Sequence, residues 1–87
     1  MTELSKRIHD DIAALRTRRD ELRVQASLAA MEARECWQEA ERKWPEIEAK
    51  LEELGRASAA GGREIGGALH RLADSVRKTY SELAATL

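Results

Sequence analysis

Apolar and small residues recur every three or four positions along the first part of the chain, from Leu4 to Leu54. Fourteen steps cover these fifty residues, so the average step is about 3.57, between the coiled-coil value and that of a straight helix. The stripe is narrow, which is typical of a coiled-coil seam rather than of a helix laid on a broad core. Arg19 is its one charged member. The pattern predicts a long helix over residues 3–54.

Pro45 is the weak point of this predicted helix. A proline inside a helix removes one backbone hydrogen bond and crowds the preceding turn. The apolar stripe nevertheless continues in phase across it, and no Gly, Asn, Asp or Ser lies between Glu32 and Trp44 to form a turn. We therefore expect a helix that is kinked at Pro45 but continuous. A true break there, giving three helices, is the alternative.

Glycines mark the chain reversal. Four of the five lie at positions 61, 62, 66 and 67, and the fifth, Gly55, directly follows Leu54 and could cap the first helix. These positions predict a turn over residues 55–62. The helical spacing of apolar residues then resumes, which predicts a second helix over residues 63–87.

The two predicted helices fit together in one antiparallel register. Facing residues of an antiparallel hairpin have numbers that add to a constant, and pairs such as Trp44 with Leu72 and Ile47 with Leu69 add to 116. Trp37 falls between Thr79 and Tyr80 in this register. Residues 32–54 carry a charge balance of −4 and residues 56–82 one of +2, which favours their pairing. The predicted seam consists of Trp37, Trp44, Ile47, Leu51, Ile65, Leu69, Leu72, Val76 and Leu83.

The predicted fold is therefore all-α: one domain over residues 1–87, formed by a long, coiled-coil-like antiparallel hairpin. The first helix would be about 77 Å long and the second about 38 Å, so the second cannot cover the N-terminal part of the first. The apolar residues left without a partner are Leu4, Ile8, Ile12, Leu15 and Leu22. Burying each would stabilise the protein by roughly 1.5–3 kcal/mol. We expect a second copy to cover them in a homodimer within a helical bundle; another helical protein or a lipid surface is the alternative.

Composition excludes several classes of protein. Charged residues make up 36% of the chain, but the net charge is only −1, which argues against a nucleic-acid binder. No apolar run approaches the roughly 20 residues of a membrane span, and no secretory signal is recognisable after Met1. The single cysteine, Cys36, suits a reducing compartment, so we expect a cytoplasmic location. Its thiol is expected to be partly buried and inert; an inter-chain contact or a reactive thiol is the alternative.

Candidate chemical groups do not converge. The side chains of His9, Asp10 and Asp11 diverge on a helix, so they are not expected to bind one metal ion. His70 and Asp74 are spaced for an ion pair on the outer face of the second helix. Glu-x-x-His motifs, typical of di-iron bundles, are missing. We therefore expect no enzyme activity, no catalytic residues, no cofactor and no metal.

The C-terminal half has a family resemblance. The stretch KWPEIEAKLEELGRASAAGGREIGGALHRLADSVRKTYSEL contains a Trp, a Lys-Leu-Glu-Glu-Leu segment, a Gly/Ala/Ser turn and an amphipathic helix. It resembles a set of small bacterial helical proteins labelled coiled-coil or apolipoprotein-like, over about residues 37–87. Pro45 and the Gly66-Gly67 pair depart from that pattern. The resemblance implies a helical fold and a bacterial origin, and transfers no catalytic residue.

Together these features predict a non-catalytic coiled-coil interaction or scaffold protein. It would act through self-association and partner-helix binding, using the arm from Leu4 to Leu22. The alternative is an amphipathic-helix protein that binds a lipid or granule surface.

Overall fold

The structure, a computed structural model, describes residues 3–86 except for the side chains of residues 3–5 and 59. Three α-helices account for nearly all of this part of the chain: α1 (Glu3–Ser27), α2 (Met31–Arg56) and α3 (Ala59–Thr86). Residues 3–86 contain no strand. The predicted all-α class is confirmed.

The first reversal lies at residues 28–30 and not at Pro45. The expected single helix over residues 3–54 is therefore divided into α1 and α2, while α2 runs through Pro45, which is exposed. Nothing in the local sequence indicates a turn at residues 28–30. The break is favoured by burial, because it lets α1 fold back and cover its apolar face at roughly 1.5–3 kcal/mol per large side chain. That gain exceeds the cost of the few helical hydrogen bonds lost at the break.

The second reversal is shorter than the expected turn over residues 55–62, since only Ala57 and Ser58 lie between α2 and α3. Ser58 caps α3: its Oγ accepts a hydrogen bond from the Gly61 N–H at 3.4 Å, and its carbonyl accepts one from Gly62 at 2.7 Å. Gly55 lies in the last turn of α2, so the cap is Ala57 instead. The glycines of residues 3–86 all have negative φ. Residue 87, the predicted end of the second helix, lies outside the described residues.

The three helices form an up-down-up bundle. Between α1 and α2, Arg16 meets Trp44 and Arg19 meets Glu41. Between α2 and α3, Trp37 meets Tyr80 and Lys43 meets Ser75. In both pairs the residue numbers run in opposite directions, so consecutive helices are antiparallel. Lys43 adds a polar link by donating a hydrogen bond from its Nζ to the Ser75 hydroxyl. The principal extents are 44 × 18 × 15 Å, so the molecule is about one helix long. Helix α3 packs against both α2 and α1, while α1 and α2 contact each other less.

The predicted seam lies in or beside the core. Five of its members are buried: Trp44, Ile47, Leu69, Val76 and Leu83. The other four are partly buried and pack against the core: Trp37, Leu51, Ile65 and Leu72. Between the two candidates opposite Trp37, Tyr80 faces inward with 1% exposure. Thr79 instead donates its hydroxyl to the Ser75 carbonyl at 3.0 Å. Tyr80 is thus the residue that completes the seam.

The apolar stripe of α1 is buried within the same chain. Ile8, Ile12, Leu15 and Leu22 are 7%, 2%, 4% and 3% exposed. The expectation that they lack an intramolecular partner is therefore wrong, because folding at residues 28–30 brings α1 onto α2 and α3. The side chain of Leu4 lies outside the described part of the chain. Helices α2 and α3 of the same chain thus cover this stripe, where a second copy was expected to cover it.

Candidate interaction surface

Large apolar side chains are exposed around the connection between α1 and α2. Val24 is 65% exposed, Leu28 83% and Met31 67%. Val24 belongs to the last turn of α1, Met31 opens α2, and Leu28 lies between the two helices. We call these three residues the apolar corner. The three lie within eight consecutive residues at one reversal of the chain, and exposed apolar residues grouped in this way are typical of contact surfaces, whereas single ones are ordinary.

The connection itself is held by few interactions. The N–H groups of Leu28 and Ala29 donate to the carbonyls three residues earlier, both at 3.2 Å, and Ser27 Oγ donates to the Val24 carbonyl at 2.7 Å. Ala30 is the N-cap of α2, with φ −61° and ψ 162°. It has no side-chain oxygen to accept a hydrogen bond from the first turn, and alanine is a poor N-cap for that reason. The reversal is therefore weakly specified by local chemistry.

A charged cluster joins α1 to the α2–α3 pair. Arg19 donates from Nε and Nη2 to the two carboxylate oxygens of Glu41, both at 2.7 Å. The side chains are 23% and 30% exposed, so the pair is largely shielded from water. These hydrogen bonds raise the pKa of the Arg19 guanidinium above its usual value, against the opposing effect of burial. The one charged member of the apolar stripe thus has a matched partner on α2.

All three aromatic residues of the chain meet beside this ion pair. The guanidinium carbon of Arg19 lies 5.0 Å from the centroid of the Trp44 ring, and that of Arg16 lies 5.8 Å from it. Trp44 Nε1 donates to the Tyr80 hydroxyl at 2.9 Å, and the Tyr80 ring stacks on Trp37 at 5.9 Å and 22°. Burial raises the pKa of the Tyr80 phenol. The cluster fixes the position of α1 on α2 and α3 through directional contacts.

A shallow groove of about 190 Å³ runs between α1 and α3. It is lined by Asp11, Ala14, Leu15, Arg18, Arg77, Tyr80 and Ser81. Its two arginines already pair on their own helices, Arg18 with Glu21 at 3.5 Å and Arg77 with Asp74 at 2.5 Å. The volume is below the roughly 300–1,000 Å³ of small-molecule sites. The apolar corner is therefore the stronger candidate surface.

The residues considered for site chemistry are dispersed. His9 is exposed, and His70 Nε2 lies 3.3 Å from Asp74 Oδ2 on the outer face of α3. Cys36 is a free, partly buried thiol packed against the core. Among the described residues, no group of three or more His, Cys, Asp or Glu side chains could hold a metal ion. Within the same residues, no helix has the length and apolar character that crossing a membrane requires.

The sequence pattern placed the contact surface elsewhere on α1. It favours the stripe from Leu4 to Leu22, and the described apolar members of that stripe are in the core. Val24, Leu28 and Met31 lie off the stripe, so the helical periodicity does not mark them. The sequence does contain an indication of this surface. Val24, Leu28 and Met31 are large apolar residues spaced by four and three, and they lie outside the stripe that forms the buried face.

Comparison with family models, curated proteins and solved structures gave no match for this chain. The resemblance of residues 37–87 to small bacterial helical proteins stays a prediction. What the fold and the surface define is a small three-helix bundle with an exposed apolar corner at one end.

Proposed function

We propose that this chain is a non-catalytic helical interaction module that associates weakly with a second copy through the apolar corner. The observation that carries the proposal is the exposure of Leu28, which is 83%, between two neighbours that are also mostly exposed. Leaving such side chains in water is unfavourable, and covering each stabilises an association by up to about 1.5–3 kcal/mol. The protein would serve as a scaffold component whose assembly depends on its concentration.

The charges around the corner support a second copy as the partner. The exposed charges around the corner are of both signs: residues 20–35 contain the bases Arg23 and Arg34 and the acids Asp20, Glu21, Glu32 and Glu35. A two-fold interface joins one patch to itself, and it therefore requires a surface that can complement itself. A rim that carries both signs can place its bases opposite the acids of a second copy, whereas a rim of one sign would repel its own copy.

The small size of the apolar corner implies that dimerisation through it is weak. Three aliphatic side chains bury far less than the roughly 800 Å² per partner that a standard stable interface contains. We therefore expect a reversible monomer–dimer equilibrium. Lipid binding by the second predicted helix would require the apolar face of α3, and Leu69, Val76 and Leu83 of that face are at most 1% exposed.

Sedimentation equilibrium over a wide range of protein concentration tests the proposal. The wild type is compared with Leu28→Glu, which places a charge in the centre of the corner. Gln25→Glu is the matched control, since it adds a negative charge at an exposed position just beside the corner. We expect the wild type and Gln25→Glu to dimerise with similar constants and Leu28→Glu to dimerise at least tenfold more weakly, the effect of about 1.4 kcal/mol.

Two results would contradict the proposal. One is a wild type that stays monomeric up to the highest concentration reached. The other is a dimer whose constant is the same in Leu28→Glu, because that dimer would not use the corner. Co-sedimentation of the wild type with anionic vesicles, abolished by Leu28→Glu, would move the function of the corner to lipid surfaces.

A further inference from the structure

We propose that two copies of this chain can exchange α1: residues 28–30 straighten into helix, and α1 of each copy packs on α2 and α3 of the other. This dimer is held together by the packing of α1 on α2 and α3 and not by burial of the apolar corner, so it goes beyond the function proposed above. Exchange of a whole element is a low-cost route to a dimer, because it reuses contacts that the closed monomer already makes.

The composition of the connection favours straightening. Residues 26–33 read Ala-Ser-Leu-Ala-Ala-Met-Glu-Ala, and apart from the serine these are among the strongest helix formers. The closed turn contains no glycine, proline, asparagine or aspartate, and its N-cap, Ala30, makes no side-chain hydrogen bond. The local sequence thus favours one continuous helix, and only the packing of α1 against its own chain opposes it.

The apolar stripe is compatible with a continuous helix. Its positions on the two sides of the connection, Leu22, Ala26, Ala29 and Ala33, follow one another at steps of four, three and four. A helix that ran through residues 28–30 would therefore keep the buried positions of α1 and α2 on a single face.

The contacts of α1 have the symmetry that exchange needs. Arg19 pairs with Glu41, and Arg16 lies over Trp44, so the numbers of the facing residues add to 60 in both cases. Two continuous antiparallel helices from two copies can reproduce this register if their two-fold axis passes near Ala30. Both contacts are then made in trans at the same relative positions.

The residues at that axis are small. The stripe positions nearest to Ala30 are Ala26, Ala29 and Ala33, so two long helices can approach one another closely there. A large side chain at this point would hold them apart. The exchange also buries the apolar stripe of α1, including Ile12 and Leu15, so the dimer covers more large apolar side chains than association through the corner alone.

The Arg19–Glu41 pair supplies a direct test. In Arg19→Glu and in Glu41→Arg, each closed chain carries two like charges at this site, and so does each exchanged homodimer. In an exchanged heterodimer, both sites hold opposite charges again. The two variants are mixed in equal amounts, unfolded together in urea and refolded by dilution at high protein concentration. Native mass spectrometry separates the species, because the substitutions change the chain mass in opposite directions.

We expect the heterodimer to dominate the mixture, with an association constant at least roughly 100-fold above that of either homodimer. The matched control is the mixture of Arg18→Glu with Glu21→Arg. That pair lies entirely on α1, at 3.5 Å, so exchange does not alter its partners. The control mixture should give the statistical proportion of heterodimer.

A backbone variant tests the straightened connection independently. Met31→Pro places proline at the first position of α2, after a residue whose ψ of 162° is of the kind that precedes proline readily. The closed monomer accommodates it, but a helix running through residue 31 does not. We expect Met31→Pro to weaken the dimer by roughly 100-fold for each of the two long helices. Met31→Ala, which also removes the exposed side chain, should keep the exchanged dimer.

The outcomes separate this inference from the proposed function. A statistical heterodimer fraction, with wild-type dimers that Leu28→Glu abolishes, overturns the exchange and leaves association through the corner standing. A dominant heterodimer, together with wild-type dimers that Leu28→Glu leaves unchanged, supports the exchange and overturns association through the corner. Equal dimerisation of Met31→Pro and Met31→Ala also overturns the exchange, since no continuous helix would then be involved.

Discussion

Arg19 of α1 and Glu41 of α2 form a bidentate ion pair, with both N–O distances at 2.7 Å, and the guanidinium covers the ring of Trp44 at 5.0 Å. A charge at a stripe position would be costly if it were left unpaired. Here the planar guanidinium is matched on its edge by the carboxylate and on its face by the indole. The pair sets both where α1 lies along α2 and which way it is rotated.

Loss of this pair should reduce stability. We expect Arg19→Ala to lower the free energy of unfolding by about 1–3 kcal/mol, because it removes charged hydrogen bonds and leaves a shielded carboxylate without its partner. The measurement is urea unfolding followed by circular dichroism at low protein concentration. Arg18→Ala is the control: its pair with Glu21 is exposed, so its loss should cost less than about 1 kcal/mol. Equal losses in the two variants would contradict the structural role of Arg19.

The hydrogen bond from Trp44 to Tyr80 gives a second prediction. Tyr80→Phe keeps the ring but removes the acceptor, which leaves the buried indole N–H without a partner. We expect the free energy of unfolding to fall by about 1–3 kcal/mol, measured in the same urea experiment. Thr79→Ala is the neighbouring control, because its hydroxyl bonds only to its own helix and alanine favours helix. A Tyr80→Phe protein as stable as the wild type would show that water or another group satisfies the indole.

The raised pKa of Tyr80 predicts a loss of stability at high pH. Between the unfolded pKa, about 10, and the higher folded pKa, the unfolded chain has released the phenol proton and the folded chain has kept it. The unfolded state therefore binds fewer protons, and the free energy of unfolding decreases as pH rises through this window. Below about pH 10 the contribution is fully present. Because Tyr80 is the only tyrosine, its phenolate absorbance reports the titration directly. The decrease should be smaller in Tyr80→Phe, and equal slopes would be inconsistent with a buried phenol.

The helical class and the residues around the α2–α3 contact were accessible from the sequence, because both depend on periodicity. Trp44 and Ile47, at predicted seam positions, are buried, as are Leu69 and Val76. Periodicity identifies the apolar face of a helix, and it does so for every helix of a bundle. It could not choose between Thr79 and Tyr80, since both lie near the seam and only the packing of the phenol ring against Trp37 decides.

The division of the predicted first helix into α1 and α2 could not be predicted from periodicity. Leu28, Ala29 and Ala30 are helix-forming residues, so no local preference marks the reversal. The decision depends on non-local burial of side chains such as Ile12 and Leu15, which local patterns do not report. The apolar corner was missed for the same reason, because it becomes a corner only when the chain reverses there.

The glycines at the start of α3 give a prediction that separates the expected turn from the observed helix. Gly62 has a negative φ, and a Cβ added to it would lie 3.8 Å from Leu54 Cδ1, an ordinary contact. We expect Gly62→Ala to raise the free energy of unfolding by about 0.5–1 kcal/mol, since alanine loses less backbone entropy in a helix. Thermal unfolding measures the change, and Gly55→Ala, with open space around its Cβ, should behave alike. A loss of stability at Gly62 would point to a turn with positive φ.

The position of α1 over the core gives the last prediction, which contrasts two apolar residues of the same helix. Ile12 is 2% exposed, so Ile12→Ala should lower the free energy of unfolding by about 2–5 kcal/mol through lost burial and the cavity left behind. Val24 is 65% exposed, and Val24→Ala should change it by no more than about 0.5 kcal/mol. Both are measured by urea unfolding at a protein concentration low enough to keep the chain monomeric. If α1 were an uncovered arm, the monomer would tolerate the two substitutions equally, and the loss at Ile12 would appear only when a partner is present.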